Sequence, residues 1–592
     1  MALAISIANE FLDLLPGAEL EIEEENPYLQ LNDELLGGYS FPIEVLATPK
    51  NMRLLGFPGT MEMRVDSTGI EAVIYDNGIP SIRGKIKIEK PSINMNNMQD
   101  GRISIYILVG AASFWQDIKD RKLRSIDVGG DRSFEFTGYS PTTGFWGHVT
   151  GVMRGTAGYG PSGYDYAFFP IVNKSWPGIG NTDIMNMVYL DDPYDGTFYL
   201  KPETGSIGDG EANRIVPFPY LKYVMIQAAA YAGWTIAGSM LDDDDFKKIV
   251  LINFRAIDWS YKKKDSDWIV VERDPVSFNL QDHLPNINIS ALFIAIRNRM
   301  GLRYSWDRAT KTMYVERMDD VASGTVKDFT VQASPLVVKT INQEEKIYAL
   351  INQFSTDLGS GAPNFEVVER DDDVDEIADL PAAAEALYGH VRLVISENNF
   401  YICQQNTDTE AWEWILYAYN IYDYLPENKN EDIITAATTI GVEFYNSYLD
   451  LLPRVDQQGY WFGKTEEEID WGIILCFNHG VRDNKDDKKY PYGSSHVYDS
   501  KFIQVAEWAL TFECMLAGGL VDVGLYEVFW RRILAMLNSS EEADVKLYLS
   551  RVDQMKLAFE DIIAVRNTRH FIKTAKPKIP YNGEIDLRLV RI

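Results

Sequence analysis

Cysteine is scarce in this chain. Cys403, Cys476 and Cys514 are the only three in 592 residues. An odd number at such wide spacing excludes a disulfide framework and a thiolate metal cage. Histidine is scarce too: His148, His283, His390, His479, His496 and His570 are the only six, and none stands in a His-Glu-x-x-His arrangement. No Gly-x-Ser-x-Gly elbow occurs. No apolar run approaches the ~18 residues that a membrane-spanning helix needs. The opening Met1-Ala2-Leu3-Ala4-Ile5-Ser6-Ile7 lacks the positive region of a secretory signal. The chain is therefore expected to fold in a reducing cytoplasm and to reach any other place by assembly or lysis. Positive charge is the last shortage. There are 56 Lys and Arg against 87 Asp and Glu, a formal net charge of −31, and residues 1–49 contain no basic residue. Tight nucleic-acid binding works through Lys and Arg on phosphates, so it is disfavoured.

What the chain does contain is apolar and aromatic. Hydrophobic residues make up 46% of it, enough for several cores, and the length predicts about three to five modules. With 33 Tyr, 27 Phe and 13 Trp, it is well supplied for strands and protein interfaces. Leu20-Glu21-Ile22-Glu23, Met61-Glu62-Met63-Arg64-Val65 and Lys85-Ile86-Lys87-Ile88-Glu89 alternate apolar and polar, the period of a half-buried strand. Tyr75-Asp76-Asn77-Gly78 carries the Asn-Gly hairpin signal, and Ile103 to Val109 continues the sheet. Such spacing argues a small barrel or sandwich over the first ~130 residues. Residues 131–215 are rich in Gly and Tyr and read as a loop-heavy insertion. Tyr220 to Ala232 and Ser290 to Met300 read as helices that end at Gly233 and Gly301, each followed by a strand, a weak duplication within 216–325. Residues 326–460 look β-rich, with an acidic loop at 371–376. Helical periodicity over 498–538 precedes closing strands near 545–549, 569–573 and 585–590.

Candidate chemistry is thin. Gly463-Lys464-Thr465 lacks the earlier Gly of a phosphate-binding loop, where Gln458 stands instead, so it reads as a turn. Cys476 and His479 have zinc-compatible spacing but no second pair nearby, so Cys476 reads as a core residue. Asp242 to Asp245 and the 371–376 loop lack the alternating pattern of a calcium loop and read as solvated charge. No catalytic, cofactor-binding or metal-ligating residue is singled out, and no cofactor is expected.

Several short blocks resemble a known family. They are Tyr39-Ser40-Phe41-Pro42-Ile43, then Ala47-Thr48-Pro49-Lys50-Asn51-Met52-Arg53-Leu54-Leu55-Gly56-Phe57-Pro58, then Asp76-Asn77-Gly78-Ile79-Pro80 with Gly84 beyond. Phe114-Trp115, Leu525-Tyr526, Phe529-Trp530 and Phe571-Ile572-Lys573 belong to the same set. Together they resemble the tail hub (baseplate hub) proteins of bacteriophages of the Bacteroidetes type. The resemblance implies a non-enzymatic virion part with an α+β, mainly β fold: two related, tail-tube-like β-barrel domains with inserted α+β modules. On that template residues 1–130 supply the first barrel, with parts of 245–280 returning to complete it. Residues 131–215 are the Gly/Tyr-rich insertion and 216–325 the paired helix-strand units. Residues 326–460 begin the second barrel, which the helical segment and C-terminal strands of 461–592 complete. The implied assembly is a homotrimer giving a ring of six barrels. Its implied partners are the tail tube or distal tail protein, the tape-measure protein, and tip, spike or fibre proteins. DNA would pass transiently, without specific binding, along an acidic wall that does not retain it.

Two other readings compete. A receptor-binding tip protein would use the Gly- and Tyr-rich loops of 131–215 for sugar contacts. A glycan- or cell-wall-degrading hydrolase would need two carboxyl groups about 5–10 Å apart in a cleft.

Overall fold

In the computed structural model the described residues are 3–26, 29, 38–58, 69–92, 101–109, 111–118, 120–135, 142–160, 163–173, 184–190, 198–200, 214–257, 260–264, 268–272, 275–307, 310–323, 325–339, 348–352, 369–370, 374–387, 390–394, 399–405, 411–419, 431–435, 437–439, 441–445, 450–455, 471–499, 501–511, 515–517, 520–539, 541–559 and 561–591. The expected strand at 61–65, the Gly463-Lys464-Thr465 turn and Cys514 lie outside them.

The N-terminal module is a sheet of β1 (Leu3–Ile7), β2 (Leu20–Glu25), β3 (Gly38–Ser40), β4 (Ile43–Leu46), β5 (Ile70–Asp76), β6 (Ile79–Ser92) and β7 (Arg102–Val109). Alternation directs Ile103, Ile105, Ile107 and Val109 of β7 into one core with Ile5, Ile22, Val45, Ile74 and Ile86. Full burial of each such side chain stabilises by roughly 1.5–3 kcal/mol. Asn77 and Gly78 turn β5 into β6 at φ of 53° and 81°, the left-handed values that the Asn-Gly pair accommodates. A Cβ at Gly84 would fall against the Leu108 carbonyl of the neighbouring strand, so β6 and β7 approach there without a side chain between them. The gap between β1 and β4 is crossed by residues 10–14, which pair with Ser6 and Ile7 at one end and bridge Val45 through Leu14 at the other.

α1 (Pro49–Leu54) fastens that crossing segment. Thr48 is its N-cap and Pro49 opens it, the expected order for a helix start. Asn51, fully buried, accepts from the Asp13 amide at 2.9 Å and donates to the carbonyls of Asp13 (2.9 Å) and Leu46 (2.8 Å). Thr48 and Lys50 both donate to the Asp13 carboxylate, which holds its pKa below the usual value.

The centre of the molecule holds the largest core. α2 (Ala111–Ile118) and α3 (Gly144–Arg154) contribute Phe114, Trp115, Phe145 and Trp146 to it, and with Phe168, Ile171, Met185 and Phe198 they show that described residues of the 131–215 region are part of the packed interior. The two helix-strand units form as the spacing predicts: α4 (Leu221–Tyr231) leads to β8 (Thr235–Ala237), and α5 (Ile289–Met300) leads to β9 (Leu302–Asp307) and β10 (Thr312–Arg317). Gly233 and Gly301 take positive φ at the helix ends. The units share one sheet, in which β8 runs parallel to β10 and β10 antiparallel to β9. The described strands of 245–280 pair with the strand Ile473–Asp483, with each other, and with Asp131–Phe134, and not with the N-terminal sheet.

The helical stretch differs from its expected extent. Among its described residues helix occupies only its end, as a π turn over Tyr526–Trp530 followed by α6 (Arg531–Ser539). Upstream, Val505, Ala506, Trp508, Ala509 and Leu510 are buried from irregular backbone. Their amides bond distant carbonyls instead of local ones, Ala509 to Val523 and Leu510 to Ser495. A helical spacing of apolar residues was met by tertiary contacts without a helix.

The C-terminal module comprises β11 (Glu542–Tyr548), α7 (Arg551–Met555), β12 (Ile562–Val565), β13 (Thr568–Ile579) and β14 (Glu584–Arg591). Its own core includes Leu547, Ile563, Val565, Ile572, Leu587 and Leu589. Strand Val326–Asp328 pairs with β12, strand Val337–Lys339 pairs with β11, and Ala333 between them bridges Leu547. The strands His390–Val394, Asn399–Gln405 and Trp412–Tyr419 belong to a separate six-stranded sheet. The fold is mostly β, but the expected barrels are corrected: among the described residues no barrel closes. The reason lies in the pairing. In each module the last gap is crossed by a short segment that meets its neighbours through ladders of two or three residue pairs and one isolated bridge, and the free edge of β2 is taken by β13 of the other module. The two modules thus share one 14-stranded sheet.

Candidate assembly interface

The feature that sets the architecture is the seam between β2 and β13. The strands run antiparallel, with Leu20 opposite Ile579, Glu21 opposite Lys578 and Glu24 opposite Ala575. Alternation places Leu20 and Ile22 inside and Glu21 and Glu23 outside. Outside, Lys576 meets Glu23 at 3.1 Å and Lys578 meets Glu21 at 3.6 Å. Inside, Ile579 belongs to the N-terminal core although its strand is C-terminal. Asn26, buried at the end of β2, donates its amide to the Lys573 carbonyl and its side chain to those of Ile572 and Phe559.

The same charged face continues across the C-terminal module. Arg588 of β14 pairs with Asp544 of β11 at 3.2 Å, and Lys546 pairs with Glu584 at 3.1 Å and Asp586 at 3.5 Å. An open groove of about 440 Å³ crosses these strands, lined by Glu23, Val337, Asp544, Lys546, Lys576 and Arg588 among others. Acids and bases alternate along it and neutralise one another locally. That suits a protein contact surface better than a phosphate-binding one, which would need an excess of cations. Val337, in the groove's lining, is 61% exposed, and Val331 beyond it is 93% exposed beside the sheet's outer edge.

This seam was not found from sequence, though a signal was present. Glu21 and Glu23 alternate on one strand, and Lys576 and Lys578 alternate with the same period on another. Only antiparallel register makes them partners, and no local rule reaches across more than 550 positions.

The residues considered for chemistry go elsewhere. Cys476 is fully buried, its thiol lies against the carbonyls of Phe477 and Ser494, and burial pushes its pKa well up. His479 is buried with Nε2 3.0 Å from the Ser494 hydroxyl, and burial holds its pKa well below the ordinary value. Asp243 caps the amides of Asp245 and Phe246, Asp244 and Asp245 pair with Lys247 and Lys248, Asp242 pairs with Lys222 and Asp245 also accepts from the Glu507 amide, so the 242–245 run serves its own turn and ties it to neighbouring segments. In the acidic loop residues 371–373 lie outside the described set, and Glu376 forms a capping box with Asp379. His283 contacts the Asn253 side chain, and His570 the Thr568 hydroxyl. Among the described residues no three His, Cys, Asp or Glu are grouped to hold a metal, and no helix is long and apolar enough to cross a membrane.

Comparison with known proteins is sparse. No family model matches the sequence, and no curated protein matches it. Among solved structures, similarity is found to the 43 kDa tail protein of prophage MuSo2 from Shewanella oneidensis, with 7% identity, a TM-score of 0.31, and coverage of 100% of this chain and 96% of that one. A tail protein from Neisseria meningitidis MC58 gives 6% identity, a TM-score of 0.28, and coverage of 100% and 96%. Prophage tail protein gp18 from Listeria monocytogenes EGD-e gives 7% identity, a TM-score of 0.30, and coverage of 99% and 94%. At these scores the likeness bears no functional weight, and the reading below rests on the chain's own residues.

Proposed function

We propose that this chain is a structural tail component of a tailed bacteriophage, the hub that joins the tail tube to the tip or spike. Three copies form a ring that lines the path of DNA ejection. The observation that carries the reading is the edge-to-edge union of two separately cored β-modules through β2 and β13. A ring of three chains that matches a sixfold tube needs two wall segments per chain, side by side, with the sheet continuing from one to the next. The resemblance of residues 39–58 and 76–84 to hub proteins supports it, and so does a net charge of −31, which keeps DNA from adhering to a wall. The partners on this reading are tail tube or distal tail protein on one face, tip, spike or fibre proteins on the other, and the end of the tape-measure protein.

The test is class averaging of negatively stained protein at micromolar concentration, with its mass in solution measured alongside. Threefold rings with a central hole are the expected result. A monomer that remains solid and unringed in the presence of its tail-tube protein overturns the proposal.

A further inference from the structure

One side-chain cluster serves neither the seam nor the surroundings of Cys476, His479 and the acidic runs. It gathers Arg132 and Phe134 from the strand Asp131–Phe134, His148 from α3, and Tyr159, Tyr164, Asp165 and Tyr166 from the segment that follows. Arg132 donates to Asp165 Oδ2 at 2.8 Å and lies over the Tyr166 ring, 5.4 Å from its centroid. The His148 ring stacks on Phe134 with centroids 4.1 Å apart, stands edge-on to Tyr164 at 5.7 Å, and places Nε2 2.6 Å from the Tyr166 hydroxyl. Burial and the Arg132 charge hold the His148 pKa at about 4, so the ring is neutral at ordinary pH.

Tyr164 is the exposed part. Gly151 and Gly155, one turn apart at the end of α3, leave the helix surface bare beneath it. A Cβ on Gly155 would lie 3.4 Å from Tyr164 Cε2, and one on Gly151 would lie 3.9 Å from its hydroxyl. The ring is backed by the helix yet remains 40% exposed. Around it, Asp165 Oδ1 and the hydroxyls of Tyr159 and Tyr164 make no hydrogen bond to the described residues, although Asp165 Oδ2 is fixed by Arg132. A supported aromatic ring is followed directly in the chain by Asp165, and burial together with the Asp165 charge raises the Tyr159 pKa, so that carboxylate and that hydroxyl lie within electrostatic reach of each other.

The charges narrow the ligand class. Arg132 and Asp165 compensate each other. A cationic ligand would meet Arg132, and an anionic one would meet Asp165 and a chain of net charge −31. What remains is a neutral molecule with an apolar face and a polar rim. A pyranose sugar has that form, with axial C–H bonds on one side and hydroxyls around the edge. We propose that this cluster is a saccharide-binding site: Tyr164 takes the C–H face of a pyranose, Asp165 Oδ1 and the hydroxyls of Tyr159 and Tyr164 bond its rim, and Arg132 positions the carboxylate. The site goes beyond the ring role and does not depend on it.

The test is saturation-transfer NMR on the full chain with the methyl pyranosides of glucose, galactose, mannose and N-acetylglucosamine at millimolar concentration. Saturation transfer to at least one glycoside is expected. Asp165→Asn should weaken it at least tenfold and Tyr164→Ala should abolish it. Tyr231→Ala, at a tyrosine 43% exposed and outside the cluster, should leave it unchanged. Thermal unfolding of each variant reports its folding, and Tyr159→Phe replaces any variant that has lost its transition, with weakening again expected. No transfer to any of the four glycosides, or transfer indifferent to the cluster substitutions, overturns the proposal.

Discussion

Arg551 Nη2 lies 3.0 Å from Asp76 Oδ2, so a helix of the C-terminal module clasps the hairpin tip of the N-terminal one across 475 positions of sequence. The Asp76 side chain is only 6% exposed, and Arg551 also donates to its carbonyl. Removing the cation by Arg551→Ala leaves a buried carboxylate uncompensated. The expected loss is about 2 kcal/mol, less than a fully buried pair would give because Arg551 keeps partial contact with water. Hydrogen exchange should show faster opening at residues 74–80, and adding Asp76→Asn should recover part of the loss. Unchanged exchange in Arg551→Ala would sink this reading.

Asn51 holds the segment that crosses between β1 and β4 through three hydrogen bonds. Asn51→Ala removes the partner of three partly buried backbone groups, the amide and carbonyl of Asp13 and the carbonyl of Leu46, at a cost of up to about 1–3 kcal/mol each if no water enters. Proteolysis should then cut within residues 8–15 before the rest of the chain. Preferential cutting elsewhere would show that the segment is held by other contacts.

Ile579 is the residue that the C-terminal module contributes to the core of the N-terminal one. Ile579→Ala should cost about 2–5 kcal/mol, the range for large-to-small changes at buried sites. The distinctive expectation is its location: amide protection should fall in β2 and β7, far away in sequence, as well as in β13. Loss confined to residues 568–591 would mean that the modules are coupled more weakly than the seam implies.

Acid should destabilise the fold through its buried histidines. The folded His148 takes up its proton only near pH 4, whereas the unfolded ring does so near 6.5. Stability from this group is therefore complete above pH 6.5 and is lost as pH falls toward 4, by an amount of order 3 kcal/mol. His283 and His479, also held low by burial, act in the same direction. Melting temperature measured from pH 7.5 to 4 should fall steadily, and His148→Gln should flatten the slope. An identical slope in that variant would assign the acid sensitivity to the other histidines.

Local chemistry was legible in the sequence wherever one short stretch contained the whole cause. Asn77-Gly78 requires a hairpin because both residues accept positive φ. Gly233 and Gly301 end helices for the same conformational reason, and alternation along Ile103 to Val109 identifies the buried face of β7. Thr48-Pro49, which starts α1 through a side-chain cap and a preset φ, is a local cause of the same kind that the reading of residues 1–130 as strands passed over. The dearth of cysteine, histidine and positive charge also belongs to the sequence, and it argued against thiolate metal cages and tight DNA binding before any contact was known.

Only the tertiary structure decided how these pieces meet. Nothing near Glu21 indicates Lys578, and nothing near Arg132 and His148 alone indicates Asp165 as the third member of their cluster. The apolar spacing of 498–538 resembled a helix throughout because burial requires only that side chains reach the core, and over 505–510 irregular backbone bonded to carbonyls more remote in the chain satisfies that demand as well. The barrels remained open for a related reason. Alternation says which face of a strand is buried but not which strand lies beside it, and here the free edge of β2 found β13, where non-local hydrogen bonds and the insertion of Ile579 into the N-terminal core joined two modules into one sheet.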